Sequence, residues 1–446
     1  MKIMKFGGTS VGSASRIKEV ARLVSSSDRN IVVLSAMSGT TNTLEEISTY
    51  LSLGNVSGAM ETVNTLNVKY TEVIGALYDS EKPLLEAQTR LTSLFDSLRL
   101  LASGGYDEKV HKQILAHGEM MSTAMMDIYL RSKGVKVQLL DALDFMRTRP
   151  DEEPDTEYIA VHINEIIDRY PDAELFLTQG YICRNSDGEV DNLKRGGSDY
   201  TASLIGAAVK ADVIEIWTDI DGMHNNDPRF VDGTRPVHHL HFDEAAELAY
   251  FGAKILHPTC ILPAKLNNIP VKLLNTMQPE AEGTTIYNIH TGNGIKAIAA
   301  KNNITAIKIK SSRMLLAYGF LRRVFEIFEK HRTPVDMIVT SEVGVSLTVD
   351  SEKSVAPIVE ELKQLGTVTV DSDMVIVCAV GNLEWQNCGF EAAVVNALKE
   401  VPVRMISYGG SNYNISLLVK ACDKERTLRL LSRHLFDSKS TDLNNE

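Results

Sequence analysis

The sequence predicts an α/β fold in which a mainly parallel sheet lies between two layers of helices, followed by two smaller α+β units. Up to about residue 287, short apolar strands alternate with helices across short connections. This alternation is typical of a parallel sheet that is covered on both faces. From about residue 294 the pattern changes to strand, helix, strand, strand, helix, strand. We therefore expect a three-layer αβα domain over residues 1–293 and a second region over 294–446.

The first predicted strand runs into a glycine-rich turn at Gly7 and Gly8, and a helix over 13–24 follows it. Glycines let backbone N–H groups approach an anion closely, and a helix N-terminus carries a partial positive charge. Lys5 adds a full charge at the same edge. The spacing matches neither a P-loop nor G-x-G-x-x-G, so the predicted phosphate site needs another architecture. The alternative is a plain strand–helix turn that binds nothing.

The other elements of the first domain follow from apolar runs and helix-ending residues. The β-branched run at 31–34 predicts a strand that is covered on both faces. A largely helical region over 44–101 has breaks near Gly54 and Pro83, and a helix over 109–132 ends at Gly134. The remaining predicted elements are strands at 135–140, 174–177, 213–217 and 271–274 and a helix at 198–210.

A weak internal repeat marks the second region. Strands at 335–338 and 346–349 are matched about seventy residues later by strands at 403–406 and 416–419. In each copy one helix precedes the first strand and another follows the second. These helices are predicted at 320–330 and 355–365 in the first copy, and at 390–399 and 424–435 in the second. The repeat predicts two copies of one small α+β unit, and the alternative is chance similarity between amphipathic stretches.

Composition limits the kinds of partner that this protein binds. With 446 residues, 44% hydrophobic and 23% charged, the chain has an ordinary globular composition and room for two or three domains. A net charge of −12 argues against a nucleic-acid or anionic-membrane partner. The longest apolar run, 374–380, is too short to span a bilayer, and the N-terminal residues do not resemble a signal peptide. Five scattered cysteines without C-x-x-C predict reduced thiols and a cytoplasmic location.

Further polar motifs lie at predicted strand ends and helix starts. The segment LKRGGSD at 193–199 places an arginine and two glycines before a helix, and arginine binds carboxylates bidentately. Its alternative is an ordinary N-cap beside a surface arginine. The HHLH segment at 238–241 has no second ligand pair, so it predicts a polar helix start rather than a metal site. The other motifs are SAMSGTTN at 35–42, HGE at 117–119, WTDIDGMHNNDPR at 217–229 and FGAKILHP at 251–258.

In this order, the blocks KFGGTSVG, SAMSGTTN, HGE, RGGSDYTA, WTDIDG with DPR, and FGAK with HP resemble the aspartate kinases of the amino-acid kinase superfamily. The resemblance covers essentially the whole chain, and the doubled unit resembles paired, ferredoxin-like ACT regulatory domains. It implies transfer of the γ-phosphoryl group of MgATP to the side-chain carboxylate of L-aspartate. The product, 4-phospho-L-aspartate, is the first intermediate on the route to lysine, threonine and methionine.

The implied chemistry needs charge stabilisation rather than a general base. An aspartate side chain, with an ordinary pKa of about 3.9, is already ionised at neutral pH. Lysines, glycine N–H groups and magnesium suffice to bring two anions together and to stabilise the transferring group. The resemblance identifies Lys5 as the transition-state lysine, Gly7 and Gly8 as the phosphate turn, and Asp199 as the residue that organises the catalytic lysines, among them Lys254.

The resemblance also implies binding residues for both substrates. Arg195 is expected to bind the α-carboxylate of aspartate and Glu119 its ammonium group, with further contacts from Ser38, Thr41, Gly196 and Ser198. The expected ATP-binding residues are Lys5, Gly8, Thr218, Asp219, His224, Asp227, Arg229 and Lys254. No protein ligand for magnesium is expected, because the ion is held mostly by phosphates and waters.

Two residues depart from the family pattern. Lys194 stands where glycine usually precedes the arginine, which adds charge and bulk beside Arg195. His224 replaces a common tyrosine of the nucleotide loop, where a smaller ring changes how a base stacks. Neither change removes a charged group that the chemistry needs.

The doubled unit resembles the effector site of lysine-inhibited aspartate kinases. The expected effector contacts are Met314, Gly319, Phe320, Leu321, Val335, Asp336, Thr340, Ser341 and Glu342. Asp336 and Glu342 would pair with ammonium groups, and amides near 319–321 would take a carboxylate; the alternative is a pair of solvated loop acids. Lysine is the expected effector, with threonine and methionine as alternatives.

The resemblance further implies that one ACT unit, at about 304–372, is inserted in a second made of about 294–303 and 373–446. ACT units of such enzymes pair between subunits, so a homodimer or a dimer of dimers is expected. A fused homoserine dehydrogenase is not expected.

Two other functions compete with this interpretation. One is a related kinase that acts on glutamate, carbamate or a nucleotide, although such relatives generally lack the RGGSD and WTDIDG pair together with ACT units. The other is a non-catalytic amino-acid sensor, which would have lost charged residues of the site. Lys5, Arg195, Asp199 and Lys254 are all present, which favours the enzyme.

Overall fold

The computed structural model describes residues 1–25, 29–193, 196–252, 256–314, 318–350 and 354–437. The chain divides into two compact units. The first unit comprises Met1–Gly222 and Leu256–Asn288, and the second comprises Met223–Ile255 and Ile289–Glu446. The stretch from Met223 to Ile255 thus clusters with the second unit, although it precedes residue 294.

The strands of the described residues are, in chain order, β1 Lys2–Phe6, β2 Asn30–Leu34, β3 Val137–Leu140, β4 Leu175–Gln179, β5 Ile182–Arg184, β6 Val190–Asn192, β7 Val213–Thr218, β8 His239–His241, β9 Val271–Asn275, β10 Thr284–Tyr287, β11 Gly294–Lys310, β12 Ile338–Ser341, β13 Gly344–Val349, β14 Thr367–Asn382, β15 Met405–Ser407 and β16 Asn414–Lys420.

The α-helices of the described residues are α1 Ala14–Ser25, α2 Thr40–Ser52, α3 Val56–Leu77, α4 Glu81–Ser103, α5 Glu108–Ser132, α6 Ala142–Phe145, α7 Thr156–Asp168, α8 Gly197–Ala208, α9 Phe242–Tyr250, α10 Leu262–Leu266, α11 Phe320–Lys330, α12 Val355–Leu362, α13 Phe390–Ala397 and α14 Lys424–Phe436. Short 3-10 helices lie at Pro258–Ile261, Ser312–Met314 and Ala421–Asp423. Within the described ranges, none of these helices combines the length and apolarity that a membrane crossing requires.

The strands of the first unit form a sheet in the order β3-β4-β2-β1-β7-β9-β10, in which neighbours run parallel except β9 and β10. β2 is buried at every position, as expected for a strand with helices on both faces. A hydrophobic core joins this sheet to α1–α5 and includes the fully buried rings of Tyr70 and Phe95. β5 and β6 form a separate antiparallel pair. The predicted three-layer α/β class is confirmed.

The long helical region predicted at 44–101 is divided into α2, α3 and α4. Gly54, with φ +73°, follows α2 and provides the first break as predicted. The second break falls at 78–80 rather than at Pro83, which lies in the first turn of α4. Proline is tolerated there because the N–H that it lacks has no partner within a helix's first turn.

The second unit contains a sheet in which two long antiparallel strands, β11 and β14, lie at the centre of the order β12-β13-β11-β14-β16-β15. The part of β11 at 294–301 pairs with 376–382 of β14, and the part at 304–310 pairs with 367–374. β13 adds to the later part of β11, and β16 adds to the later part of β14. Each half has its own core, with α11 and α12 in one and α13 and α14 in the other.

The strand that follows the first helix in each α+β half begins later than the sequence suggested. β12 starts at Ile338 rather than at residue 335, and β15 starts at Met405 rather than at residue 403. Just before each strand the backbone already bonds to the neighbouring strand: Asp336 N–H donates to Thr348 O at 2.9 Å, Thr348 N–H donates to Met337 O at 3.0 Å, and Arg404 N–H donates to Leu418 O at 2.7 Å. The apolar run therefore marks where the chain joins the sheet, before regular pairing starts.

Candidate active site

Several predicted site residues of the first unit lie at one edge of its sheet. The parallel strands β1, β2, β4, β7 and β9 end at this edge. The turn after β1 holds Gly7 and Gly8, the loop after β2 holds Ser38, and β7 ends at Thr218, followed by Asp219. Ligands of open parallel sheets bind at the carboxyl ends of the strands. The edge is thus the place where the fold of this unit predicts a ligand.

Lys5 and Asp199 form an ion pair across the elements of this edge. The Lys5 Nζ lies 2.6 Å from Asp199 Oδ1, with 9% and 15% of the two side chains exposed. Lys5 comes from β1 and Asp199 from the first turn of α8. The contact is one of charge rather than of a well-aligned hydrogen bond, since Asp199 Oδ1 has no hydrogen-bond partner among the described residues. Such a pair holds a lysine in place while leaving its other donors for a ligand.

The glycine turn requires residues without a side chain. A Cβ atom on Gly8 would lie 2.7 Å from the carbonyl oxygen of Ala36, which is closer than Cβ atoms approach oxygen. The Ser38 N–H donates to Gly8 O at 3.1 Å, and the Gly7 N–H donates to Trp217 O at 3.1 Å. The turn after β1 therefore packs backbone against backbone on the loop after β2. A Cβ atom on Gly7 would also lie 3.7 Å from Lys5 Nζ.

Glu119 is a buried acid on α5, with only 5% of the residue exposed. Its Oε1 accepts a hydrogen bond of 3.1 Å from the Ala36 N–H. Burial raises the pKa of Glu119 to about 8, although the Ala36 N–H and the charge of Lys5 oppose the shift. The structure thus brings Glu119 to the loop after β2 and within electrostatic reach of Lys5, while its expected role with the substrate ammonium group stays a prediction.

The reason for the glycine before Glu119 lies in the same contact. A Cβ atom on Gly118 would lie 2.8 Å from the Cβ of Ala36 and 3.6 Å from the Cγ2 of Thr40. The glycine lets α5 press against the loop after β2, which carries Ser38, and against the start of α2. Gly118 therefore allows close packing of α5 at this point.

The start of α8 places Ser198 and Gly196 beside the same loop region. The Ser35 hydroxyl donates to Ser198 Oγ at 3.0 Å. Gly196 adopts φ +68° as the N-cap of α8, and a Cβ atom there would overlap the Sγ of Cys260 at 1.7 Å. Ser198 is buried at 7% exposure, and a Cβ atom on Gly180 would meet it at 2.3 Å. Glycines thus bring the loop after β4 and the start of α8 into direct contact.

Three predicted residues fall outside the described residues. They are Arg195, its neighbour Lys194 and Lys254. Their expected roles stay predictions.

Thr41 and Ser38 are exposed, Ser38 in the loop after β2 and Thr41 in the first turn of α2. Thr218 is half-buried and its Oγ1 accepts a hydrogen bond of 3.1 Å from the Ile220 N–H, while Asp219 is exposed. A residue must be exposed in the empty site if it is to contact a bound substrate.

The remaining nucleotide residues lie in the second unit. Arg229 binds both carboxylate oxygens of Asp227, with distances from 2.7 to 3.2 Å. Although partial burial opposes the shift, these hydrogen bonds hold the pKa of Asp227 below its usual value. The His224 Nδ1 lies 2.9 Å from Thr234 Oγ1, so the ring that replaces the expected tyrosine is held by its own loop.

The predicted effector residues divide into buried and exposed groups within the second unit. Phe320 is 3% exposed and belongs to the core beneath α11, and Met314 and Val335 pack against the same core. Leu321 is exposed, as is Gly319, which caps α11 with φ +78°. These three residues pack in or against the hydrophobic core and therefore stabilise the fold.

The polar effector residues lie around β12. Thr340 and Ser341 are exposed on this edge strand, and the exposed Glu342 follows in the turn to β13. Asp336 differs from Glu342, because only 1% of its side chain is exposed. The two acids that the sequence grouped together thus have different environments.

Asp336 is already paired within the protein. Lys301 Nζ and the Tyr250 hydroxyl each donate to Asp336 Oδ1 at 2.7 Å, and Lys301 also lies 3.0 Å from Asp350. The ammonium of Lys301 lies 4.5 Å from the centre of the Tyr250 ring. Although burial opposes the shift, the hydrogen bond and charge of Asp336 raise the pKa of Lys301. The second oxygen, Oδ2, is buried and has no hydrogen-bond partner among the described residues.

Sequence reasoning missed several residues that organise the first unit's site. Lys69 and Tyr70 of α3 contact the loop after β2, and Ser10 shares a hydrogen bond of 2.6 Å with Thr276 at the end of β9. Gly180 directly follows β4, so the strand-end rule that singled out Ser38 would also have found it. Nothing in the local sequence distinguishes Lys69 from the other charged residues of its helix.

The HHLH segment leads into a helix, as predicted, although His239–His241 form the short strand β8. His241 is the N-cap of α9, and its ring nitrogen accepts a bond from the Asp243 N–H at 3.2 Å. Glu244 completes the capping box by accepting a bond of 2.7 Å from the His241 N–H. Across the described residues, no group of three or more histidine, cysteine, aspartate or glutamate side chains is arranged to hold a metal.

Comparisons with known proteins agree with this architecture. The model of the amino acid kinase family matches residues 1–275, and an ACT domain model matches residues 377–435. The chain is 34% identical over 453 residues to the lysine-sensitive aspartokinase 3 of Escherichia coli strain K12, which covers 98% of this chain and 99% of that protein. It is also 34% identical to the chloroplastic aspartokinase 1 of Arabidopsis thaliana, over 98% of this chain and 80% of that protein.

Solved structures point to the same family. The crystal structure of E. coli aspartokinase III in complex with aspartate and ADP is similar to this chain with a TM-score of 0.84 and 32% identity, covering 98% of this chain and 100% of that one. The complex of that enzyme with lysine and aspartate has a TM-score of 0.80 at the same coverage. The chain therefore belongs to the amino acid kinase family and, within it, to the aspartokinases. The predicted family and enzyme class are confirmed.

Proposed function

We propose that this chain transfers the γ-phosphoryl group of ATP to the side-chain carboxylate of L-aspartate, giving 4-phospho-L-aspartate for the synthesis of lysine, threonine and methionine. The observation that carries the proposal is the ion pair of Lys5 with Asp199, at 2.6 Å, beside the glycine turn and the buried acid Glu119. Lys5 supplies a cation for a phosphate group, and Glu119 supplies an acid for the ammonium group of a zwitterionic substrate. The E. coli relative was solved with aspartate and ADP, which supports the same substrates here.

In this proposal the charged residues of the site bind or stabilise the charged groups of the substrates. The aspartate carboxylate attacks the γ-phosphorus as an anion, and Lys5 stabilises the charge that develops on the transferring group. Asp199 positions Lys5. Glu119 accepts the substrate ammonium group and Arg195 binds its α-carboxylate, while Gly196, Ser198, Ser38 and Thr41 surround the substrate.

The nucleotide is assigned to the residues Lys5, Gly8, Thr218, Asp219, His224, Asp227, Arg229 and Lys254, and Gly7 belongs to the same phosphate turn as Gly8. The turn at Gly7 and Gly8 is assigned to the phosphates because of the family resemblance, and it lies beside the cation of Lys5, whose Nζ would be 3.7 Å from a Cβ atom on Gly7. Magnesium, when bound, neutralises charge on the phosphates.

We further propose feedback inhibition by lysine through the 294–446 region, in which one ACT unit spans about 304–372 and the other about 294–303 and 373–446. The lysine-sensitive E. coli relative and the buried acid Asp336 support this regulation. Self-association of ACT domains as a homodimer or a dimer of dimers, and a cytoplasmic location, are part of the same proposal.

One assay tests the activity. Purified protein is incubated with aspartate, MgATP and hydroxylamine, which traps an acyl phosphate as a coloured hydroxamate. The expected result is aspartyl hydroxamate that depends on both substrates and decreases when lysine is added, with threonine and methionine as comparison effectors. The absence of hydroxamate would overturn the activity, and turnover that is undiminished at millimolar lysine would overturn the effector.

A further inference from the structure

The loop after β2 lies between the glycine turn, Glu119 and α3, and two consecutive residues of α3 contact it. Lys69 Nζ donates to the carbonyl oxygen of Ser38 at 2.8 Å. The Tyr70 hydroxyl shares a hydrogen bond of 3.0 Å with Thr40 Oγ1. Since consecutive helix residues point about 100° apart, one residue reaches the exposed side of the loop and the other its buried side.

The buried contact fixes the end of the loop. Tyr70 and Thr40 are both fully buried, and the Tyr70 ring packs edge to face on Phe95 with centroids 5.8 Å apart. Breaking their hydrogen bond would leave two buried hydroxyl groups without this partner, which is costly. Thr40 is the first residue of α2, so Tyr70 helps to determine where the helix that carries Thr41 begins.

The exposed contact acts on the segment that precedes this helix. Gly39 is the N-cap of α2 with φ +80°, a conformation that favours glycine. A Cβ atom at Gly39 would lie 3.5 Å from Lys69 Nζ, at ordinary contact distance. The ammonium group therefore lies against the backbone that joins Ser38 to Thr41.

We propose that Lys69 is a positioning residue for aspartate binding, which holds Ser38 and Thr41 in place through the Ser38 carbonyl group, with Tyr70 as the fixed support beneath. The inference rests on the proposed function, because Ser38 and Thr41 are assigned to the substrate there. The same loop donates its Ala36 N–H to Glu119, at 3.1 Å, and its Ser38 N–H to Gly8, at 3.1 Å. Those bonds hold the loop on the side of the reacting groups, and Lys69 holds it on the opposite side.

The test compares Lys69→Met, Lys69→Arg and the control Lys82→Met, which removes the same charge from an exposed position on α4. The loss of a charged hydrogen-bond donor at a partly exposed site is expected to raise the KM for aspartate roughly five- to tenfold. The KM for ATP and the thermal midpoint should stay near those of Lys82→Met. Lys69→Arg should restore the aspartate KM, since a guanidinium group also donates to a carbonyl oxygen.

The outcomes separate this inference from the proposed function. Wild-type protein that makes no aspartyl hydroxamate contradicts the proposed function itself. If the wild type is active, an unchanged aspartate KM in Lys69→Met overturns the positioning role. An equal rise in both KM values, or a defect that arginine does not restore, also overturns it. Tyr70→Phe is the second variant, and it should raise the aspartate KM less than Lys69→Met because the ring stays packed on Phe95.

Discussion

Two buried acids, one in each unit, have opposite surroundings. Glu119 in the first unit accepts a hydrogen bond from the backbone N–H of Ala36, and the nearby charge of Lys5 acts to lower its pKa. Asp336 in the second unit already pairs with Lys301 and with the Tyr250 hydroxyl, each at 2.7 Å. A ligand's ammonium group would complete the first site, whereas it would have to share or displace an internal lysine at the second.

In the proposed function, this difference in surroundings distinguishes the substrate site at Glu119 from the effector site at Asp336. In the proposed function, binding of an ammonium group at Glu119 would release a proton, because burial raises the pKa of the empty site to about 8. In the proposed regulation, binding of an ammonium group at Asp336 would rearrange the contacts that join α9, β11 and the segment before β12. In the proposed function, the substrate acid is thus neutral until a cation binds, and the effector acid is linked to the surrounding structure.

The largest effect is expected at Lys5. Lys5→Met removes the charge that stabilises the transferring phosphoryl group in the proposed reaction, so kcat should fall by roughly 10²–10³-fold or more with little change in the aspartate KM. Lys2→Met, on the same strand, is the control. Steady-state kinetics by the hydroxamate assay measure both. A raised aspartate KM with a normal kcat would show that the roles are misassigned.

The second effect concerns Glu119 and pH. The neutral form of the empty site predominates below about pH 8, so kcat/KM for aspartate should rise with pH up to about 8 and then level off. Glu119→Gln should lower kcat/KM roughly 10–100-fold and abolish the rise, because its amide binds an ammonium group weakly at every pH. A pH profile of the variant that is parallel to the wild type would contradict the assignment.

Glu119 also predicts a pH dependence of stability. Its pKa is higher in the folded protein than the 4.5 of the free side chain, so its contribution to stability is complete below about pH 4.5 and is lost as the pH rises through about 8. Above pH 8 the folded protein contains a buried carboxylate charge. Glu119→Gln should therefore melt at a higher temperature than the wild type at pH 9, and a lower midpoint there would contradict the burial effect.

The third effect is at the effector acid. Asp336→Asn removes the negative charge that an ammonium effector needs, so the lysine concentration for half-inhibition should rise by roughly tenfold or more. Glu329→Gln removes the same charge from an exposed position on α11 and is the control. Inhibition curves measure the change, and an unaltered curve for Asp336→Asn would move the effector site elsewhere.

The smallest effect is expected at Tyr250. Tyr250→Phe removes one donor that competes for Asp336 Oδ1, so lysine should bind tighter by roughly two- to fivefold. Tyr408→Phe is the control, because the Tyr408 hydroxyl donates to Leu383 O at 3.0 Å in the same unit. Calorimetric titration with lysine gives the affinity. Weaker binding would mean that Tyr250 supports the effector site instead of competing in it.

Much of the first unit's site follows from the sequence because strand ends carry local signals. Glycines after β1, small polar residues after β2 and the acid on α5 each stand in a recognisable pattern, and parallel pairing brings them to one edge. Lys69 and Tyr70 do not follow from the sequence, since their role depends on how α3 packs against a loop about thirty residues away.

The second unit shows even more clearly that contacts between distant residues do not follow from the sequence. The repeat predicts two α+β halves, yet β12 and β15 begin late because the chain makes isolated backbone bonds to the sheet before regular pairing starts. The pairing of Asp336 with Lys301 and Tyr250 joins residues 35 and 86 positions apart and has no sequence pattern. Patterns reveal where polar groups lie, whereas tertiary packing decides which of them are already paired.

The direct test of this contrast is the number of protons that aspartate binding releases. Titration calorimetry with aspartate at pH 7, in buffers of different ionisation enthalpy, measures that number for the wild type and for Glu119→Gln. With the pKa of Glu119 at about 8 in the empty site, roughly 0.9 proton should be released per aspartate bound by the wild type and none by the variant. Equal heats for the wild type in all buffers would contradict the contrast, because Glu119 would then be ionised before its ligand arrives.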